Sequence, residues 1–329
     1  MIAHRYRHFA LVPLAAILVI SCARCADAQD YPTRTVTFVA PFPAGGVADV
    51  AARMLAQRLS SQLGKPVVVE NRSGAGAVIG AASVARAAPD GHTLLLGGTP
   101  PFAIAPAVWK KLPYDPLNDF VPVARINDVP FILVTNPAHP VHTIADLIKL
   151  ARDRPGELAY ASPGPGTGPH LAAEMLKTIT GTDIAHVPFK GDAQALMDVV
   201  AGRVPLMFAA PSALPMIAAG KVRALAVSST TRLALLPDIP TIAEAGISGF
   251  DVVIWTMVVA PALTPKNIIG RLYVELKGIA ADPEVKAYFV KNGLVPVDSP
   301  PIEELNRFMK SEILRWGDVV RQVGLVGSQ

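Results

Sequence analysis

From residue 36 onward the chain repeats one unit: a short apolar run, a glycine-rich loop, then apolar residues at helical spacing. Val36–Ala40 (VTFVA) runs into Pro41-Phe42-Pro43-Ala44-Gly45-Gly46. Val50, Met54, Leu55, Leu59 and Leu63 then recur on one helix face, and Gly64 and Pro66 end that helix. Residues 67–69 read as a second strand, 74–80 as a loop entering an alanine-rich helix, and 93–96 as a third strand closing at Gly97-Gly98. The unit returns in strands at 131–134, 158–162, 186–189 and 206–209, with helices at 142–153, 169–180 and 193–201. Strands alternating with helices at this pace need crossover connections, so an α/β chain with mainly parallel sheets covered on both faces is expected. The two series imply two lobes. Segments 121–128, 222–228 and 250–260 are long enough to pass between them, which suggests residues 29–125 plus 251–329 for lobe 1 and 126–250 for lobe 2.

The first 28 residues read as an export signal: Arg5 and Arg7, an apolar run over 9–20, and Ala26-Asp27-Ala28 at the cleavage spacing. That run is shorter than the roughly 20 residues needed to span a bilayer, and the other long apolar stretch, 204–219, is broken by Pro205, Pro211 and Pro215. Cys22 and Cys25 form C-x-x-C but leave with the signal, so thiol catalysis, disulfides and cysteine zinc sites are excluded from the exported chain. A competing pattern, Val19-Ile20-Ser21-Cys22, resembles a lipoprotein box with Cys22 lipidated. The exported chain is placed in the periplasm. With 17% charged residues, a formal charge of +4 and no run of five like charges, nucleic acid is excluded as a partner.

A glycine turn between a strand and a helix leaves backbone N–H groups pointing outward, where the helix dipole adds about half a positive charge. Such turns attract anions, and open α/β sheets bind ligands at the carboxyl ends of their strands. The chain offers them at Ala44-Gly45-Gly46, Gly97-Gly98-Thr99 and Gly166-Thr167-Gly168, on both lobes. Asp49 is read as a first-turn carboxylate that fixes the first loop, with a direct amine contact as the alternative. Gly74-Ala75-Gly76-Ala77-Val78-Ile79-Gly80 fails the dinucleotide fingerprint, having Ile79 where a glycine belongs. No G-x-S-x-G or H-E-x-x-H occurs. Of the histidines after residue 28, only His170 lies near a candidate ligand loop, and no base is visible beside Ser162. Neither a catalytic set, a metal site nor a cofactor is expected.

The order of short motifs resembles that of the periplasmic receptors of tripartite tricarboxylate transporters, the Bug receptors. The likeness runs from Tyr31-Pro32 through Pro41–Gly46 with Asp49 and Arg53, Val69-Glu70-Asn71-Arg72, and Ala88-Pro89-Asp90-Gly91. It continues through Lys111–Pro116, Tyr160-Ala161-Ser162, Gly166-Thr167 with His170-Leu171, Val187–Gly191 and Leu236–Thr241. The resemblance implies a type II periplasmic binding protein, with two lobes joined by crossover strands around a ligand cleft. It implies a small organic carboxylate as ligand and a membrane permease as partner. A monomer is expected. By position, Phe42, Ala44, Gly45, Gly46, Val47, Asp49, Gly98 and Thr99 would line lobe 1, and Ser162, Gly166, Thr167, Gly168, Phe189 and Lys190 would line lobe 2. Val47, Ala105, Phe189 and Ala209 stand where the family commonly has polar residues. With Pro100, Pro101, Phe102 and Pro165, they argue for a less polar monocarboxylate, aromatic ones included. The rival reading is a periplasmic hydrolase-like α/β enzyme acting on a carboxylate or ester through Ser162 or His170.

Overall fold

A computed structural model describes residues 31–329. The export signal, its cut after Ala28 and lipidation at Cys22 lie outside the described residues. The first series gives β1 (Val36–Ala40), α1 (Val47–Leu63), β2 (Val67–Asn71), α2 (Val78–Ala85), β3 (Thr93–Gly98), α3 (Ala105–Val108) and β4 (Phe120–Pro130). The second gives β5 (Ile132–Thr135), α4 (Ile144–Asp153), β6 (Ala159–Ser162), α5 (Gly168–Thr180), β7 (Ala185–Pro188), α6 (Asp192–Val200), β8 (Leu206–Ala209), α7 (Leu214–Ala218) and β9 (Arg223–Val227). The chain then returns through β10 (Val253–Pro261) to α8 (Lys266–Ala281), α9 (Pro283–Lys291), β11 (Val295–Pro296) and α10 (Ile302–Gln322).

The strands form a six-stranded sheet in the order β11-β4-β10-β3-β1-β2 and a five-stranded sheet in the order β7-β6-β8-β5-β9. Both sheets are mixed, not mainly parallel as the alternation suggested. The parallel pairs are β1 with β2 and β3, and β6 with β7 and β8. The linking strands run antiparallel: β10 to β3 and β4, and β5 to β8 and β9. Topology requires this. β4 leaves the first sheet at the carboxyl end of β3, so β10, which re-enters from the same side, must run backwards; β5 enters the second sheet under the same constraint.

Three apolar clusters hold these layers. One, with Phe38, Leu55, Leu59 and Leu276, fills the space between the first sheet and α1, α8 and α9. A second, with Ile132, Leu196 and Met207, backs the second sheet. The third crosses from one lobe to the other, from Phe102 and Trp255 to Phe131, Phe208 and Phe250. α10 joins it because Leu305, Met309, Glu312, Trp316 and Val320 fall on one face and are buried. Phe102 stacks on Trp255 at 6.4 Å; burying such a ring contributes about 1.5–3 kcal/mol. α4 opens with Thr143 and Asp146 in a reciprocal capping box. The rejected fingerprint is a turn over Ala75–Ala77, and a β-carbon on Gly80 would come within 2.6 Å of Pro41, so that glycine serves packing. Among the described residues no helix is long and apolar enough to cross a membrane.

Candidate functional site

Strand direction alone brings the glycine loops together. β1 and β3 end at the edge where β4 departs, and β6 and β8 end at the edge where β5 arrives. The loops after β1, β3, β6 and β7 therefore all face the junction between lobes. The two groups also meet physically. A β-carbon on Gly168 would lie 2.6 Å from the Phe131 ring and 2.9 Å from Ile254 Cδ1 on β10, and one on Gly166 would lie 3.7 Å from Val108 of α3.

The loop after β1 is held by Asp49. Its Oδ2 accepts N–H groups from Gly45 at 2.9 Å and Arg53 Nε at 2.9 Å, and its Oδ1 accepts Asn71 Nδ2 at 2.8 Å. Asn71 Nδ2 also donates to the carbonyl of Phe42 at 3.1 Å. Asp49 is only 3% exposed. Burial pushes its carboxyl up, but the bonds from Arg53, Gly45 and Asn71 outweigh that and hold it below the ordinary carboxylate range. Asp49 thus shapes the loop, and its oxygens are occupied. Gly45 takes a left-handed φ of 79° at the turn, Ala44 is exposed, Phe42 and Gly46 are half-buried, and Val47 is the first residue of α1. No side chain caps α1 at Gly46.

The loop after β3 turns its hydroxyl inward. Thr99 is fully buried and its Oγ1 accepts the Trp255 N–H at 3.0 Å. It does not line an open wall as expected; only its backbone and that of Gly98 remain for a ligand. Gly98 is obligatory, since a β-carbon would fall 2.2 Å from the Trp255 carbonyl.

In the second lobe Ser162 is fully buried. Its Oγ accepts the Gly164 N–H at 3.1 Å and lies 2.6 Å from His186 Nε2. Thr167 Oγ1 donates to the Gly164 carbonyl at 2.7 Å, and the Gly166 N–H donates to His170 Nδ1 at 3.2 Å. The rings of His170 and His186 lie 4.2 Å apart in a tilted arrangement, with Tyr160 stacked on His186 at 4.9 Å. Burial, and then the neighbouring His186, push His170 down to about 4, so it stays neutral and able to accept. These side chains serve the loop itself. α5, like α1, starts without a side-chain cap. Phe189 packs its ring on the lobe-2 cluster and donates its N–H to the Ser162 carbonyl at 2.8 Å, while Lys190 is exposed.

Three residues were missed. His186 stands opposite Tyr160 on the paired strand, in line with Ser162 two residues on; parallel pairing of β6 and β7 was the available signal. Asp192 opens α6 with a buried, unpartnered Oδ1, and burial pushes its carboxyl up to about 6. Asn127 on β4 is fully buried with neither amide atom partnered. Conversely, Ala105, Ala209 and Phe102 belong to the apolar clusters and say nothing of the ligand's polarity.

The opposite face of β4 and β10 carries a cavity of about 260 Å³, lined by Arg125, Asp128, Trp255, Phe308, Glu312 and Arg315 among others. It contains none of the expected ligand residues. Arg125 makes two bonds to Asp128, at 2.6 and 2.8 Å, and covers the Phe308 ring at 4.3 Å. Among the described residues no group of three His, Cys, Asp or Glu side chains is arranged to hold a metal ion.

Comparison with known proteins gives a consistent result. The family model "Tripartite tricarboxylate transporter family receptor" matches residues 51–325. "Protein BugT" of Bordetella pertussis is 39% identical over 300 residues, covering 91% of this chain and 92% of that one. A protein of Pseudomonas sp. (strain P51), "UPF0065 protein in tcbD-tcbE intergenic region", is 37% identical over 325 residues, covering 98% and 96%. The solved structure "R. palustris Rpa4515 with adipate" superimposes with a TM-score of 0.83 at 38% identity, covering 90% of this chain and 99% of that chain. "MatC (Rpa3494) from Rhodopseudomonas palustris with bound malate" gives 0.78 at 34% identity, covering 88% and 100%.

Proposed function

This chain belongs to the tripartite tricarboxylate transporter receptor family, and from that premise we propose that it captures a small carboxylate-bearing organic solute in the cleft between its lobes and delivers it to a membrane permease of that transporter class. The observation that carries the reading is the pairing of two uncapped helix starts, α1 and α5, behind glycine loops at facing strand ends. Each offers unpaired N–H groups and the positive end of a dipole to an anion. The solutes of the two ligand-bound relatives, adipate and malate, are carboxylates of this size class. The receptor works in the periplasm as a monomer, without cofactor or metal. In place of the expected boundary at residue 125, lobe 1 is taken as residues 31–130 plus 251–329 and lobe 2 as residues 131–250, a division that the pairing of β4 with β10 as far as Pro130 supports, with closure about the segments where β4 passes into β5 and the chain returns into β10. Closure turns contacts on both lobes into one stabilised state.

Native mass spectrometry of freshly purified protein tests this reading, together with thermal shifts against a carboxylate panel. Release of an unchanged carboxylate and stabilisation by it are expected; no stabilisation by any carboxylate refutes the receptor. The 2.6 Å contact of Ser162 with His186 is what a nucleophile and its base would show, and it keeps the hydrolase reading testable. Against that reading, the hydroxyl is fully buried and tied to its own loop. Turnover of an ester abolished by Ser162→Ala would favour the enzyme.

A further inference from the structure

Asn127 is 0% exposed, and neither its Oδ1 nor its Nδ2 has a hydrogen-bond partner. Buried amides are almost always paired, so a bare one at the cleft end of a strand marks a place where something else is meant to bind. Strand register shows which way it faces. Asn127 stands opposite Thr256, and Val129 opposite Ile254; Thr256 in turn stands opposite Gly98 of β3. Residues two apart on a strand share a face, and directly opposed residues share it with them. Asn127, Val129, Ile254 and Thr256 therefore project to one side. Ile254 identifies that side, because its Cδ1 reaches to 2.9 Å from a β-carbon placed on Gly168, the first residue of α5. The other side carries Trp255 and Asp128 around the polar cavity, and Arg125 joins them because the register of β4 on β10 shifts between Thr256 and Met257. Asn127 thus lies on the face that packs against α1, α8 and α9, level with Gly98 at the end of β3, where that face meets the junction between lobes.

We propose that Asn127 hydrogen-bonds the bound solute, and that the solute carries a second polar group, a hydroxyl, carboxamide or second carboxyl, besides the carboxylate met by the loop amides. This rests on the receptor reading above and names its ligand class. A plain or aromatic monocarboxylate would close the cleft over an amide still without partners, which a binding site discriminates against. This reading departs from the expectation of a less polar ligand, three of whose grounds, Phe102, Ala105 and Ala209, are buried members of the apolar clusters.

The test is isothermal calorimetry of wild type, Asn127→Leu and Asn127→Ala against straight-chain monocarboxylates of four to six carbons and their hydroxy, carboxamide and dicarboxylate counterparts, with benzoate as the aromatic member. Cooperative melting checks that each variant is folded; the smaller alanine guards against overpacking by leucine. Wild type is expected to bind its best polar member roughly 10-fold or more tighter than the plain acid of equal length. Both variants should bring that ratio close to one, with binding of the plain acid unchanged or tighter. A preference that survives in a folded variant overturns the role of Asn127, and a wild type that prefers plain or aromatic acids overturns the ligand class. Silence of wild type toward every carboxylate is a different failure: it overturns the receptor reading and this inference with it.

Discussion

Replacing Asp192 by Asn removes the charge of a half-buried carboxyl whose Oδ1 is buried without a partner, and the consequence should be visible as a change in how stability depends on pH. Burial lifts the Asp192 carboxyl from 3.8 to about 6. A group raised in the folded state contributes stability that is complete below pH 3.8 and is lost as pH rises through about 6. At about 1.4 kcal/mol per pH unit the loss amounts to about 3 kcal/mol by neutral pH. His170 works in the opposite sense. Its folded value is pushed down from 6.5 to about 4, so its contribution is complete above pH 6.5 and is lost as pH falls toward 4, again by about 3 kcal/mol. The two should nearly cancel between pH 4 and 6.5 in the wild type. Asp192→Asn takes away one of them. Urea unfolding at fixed pH from 4 to 7 should show the variant gaining on the wild type by about 3 kcal/mol from the acid to the neutral end. Its own stability should fall steeply on acidification. A difference between the two proteins that stays constant over this range would refute the argument, because it would mean that Asp192 titrates normally.

Two further substitutions probe the frame around the cleft. Glu312→Ala should cost roughly 2–5 kcal/mol in the same unfolding assay, because Glu312 accepts the buried indole N–H groups of Trp255 at 2.8 Å and Trp316 at 3.1 Å and both would lose their acceptor. Asp49→Ala should cost about 1–3 kcal/mol and weaken carboxylate binding by calorimetry, since Gly45, Arg53 and Asn71 would lose the group that arranges the loop. Because its folded value lies below 3.8, this contribution is present above pH 3.8 and vanishes as pH falls further, so wild type and variant should converge in acid.

What was legible in the sequence was local. Hydrophobic period and glycine placement locate β1, β3 and β6 with the loops that follow them, since both are properties of adjacent residues. Thr143 announces the start of α4 for the same reason. Strand direction was not legible: whether β10 runs with or against β3 depends on the edge from which a distant segment re-enters. The pairing of Ser162 with His186 has the same character, because it exists only once β7 lies beside β6. Thr99 and Ser162 read as cleft hydroxyls, and only the fold turns both inward. Asn127 reads as an ordinary polar residue within a strand. Nothing before the pairing of β4 with β10 marks it as bare and buried.

Because the loop side chains are tied to their own loops, affinity should depend chiefly on how closely the lobes approach, and Gly168 gives access to that variable. A β-carbon there would intrude on Ile254 of β10 at 2.9 Å and on Phe131, the residue that separates β4 from β5, at 2.6 Å. The Ile254 contact crosses from one lobe to the other, so that part of the clash from Gly168→Ala falls on the arrangement in which the lobes meet, whereas Phe131 belongs to lobe 2. Overpacking of this size costs about 1–3 kcal/mol. An open form, in which β10 and α5 have separated, escapes the part of it that falls on Ile254. Ligand binding must then supply that difference at each closure, and the dissociation constant should rise about 5- to 150-fold. Stability of the unliganded protein should drop by less than affinity does, because opening relieves the contact with Ile254 and leaves only that with Phe131. Calorimetry and thermal melting of the same preparation separate the cases. Equal losses in both would mean that the alanine damages lobe 2 itself. Unchanged affinity would mean that Gly168 does not press on the other lobe when the solute is held.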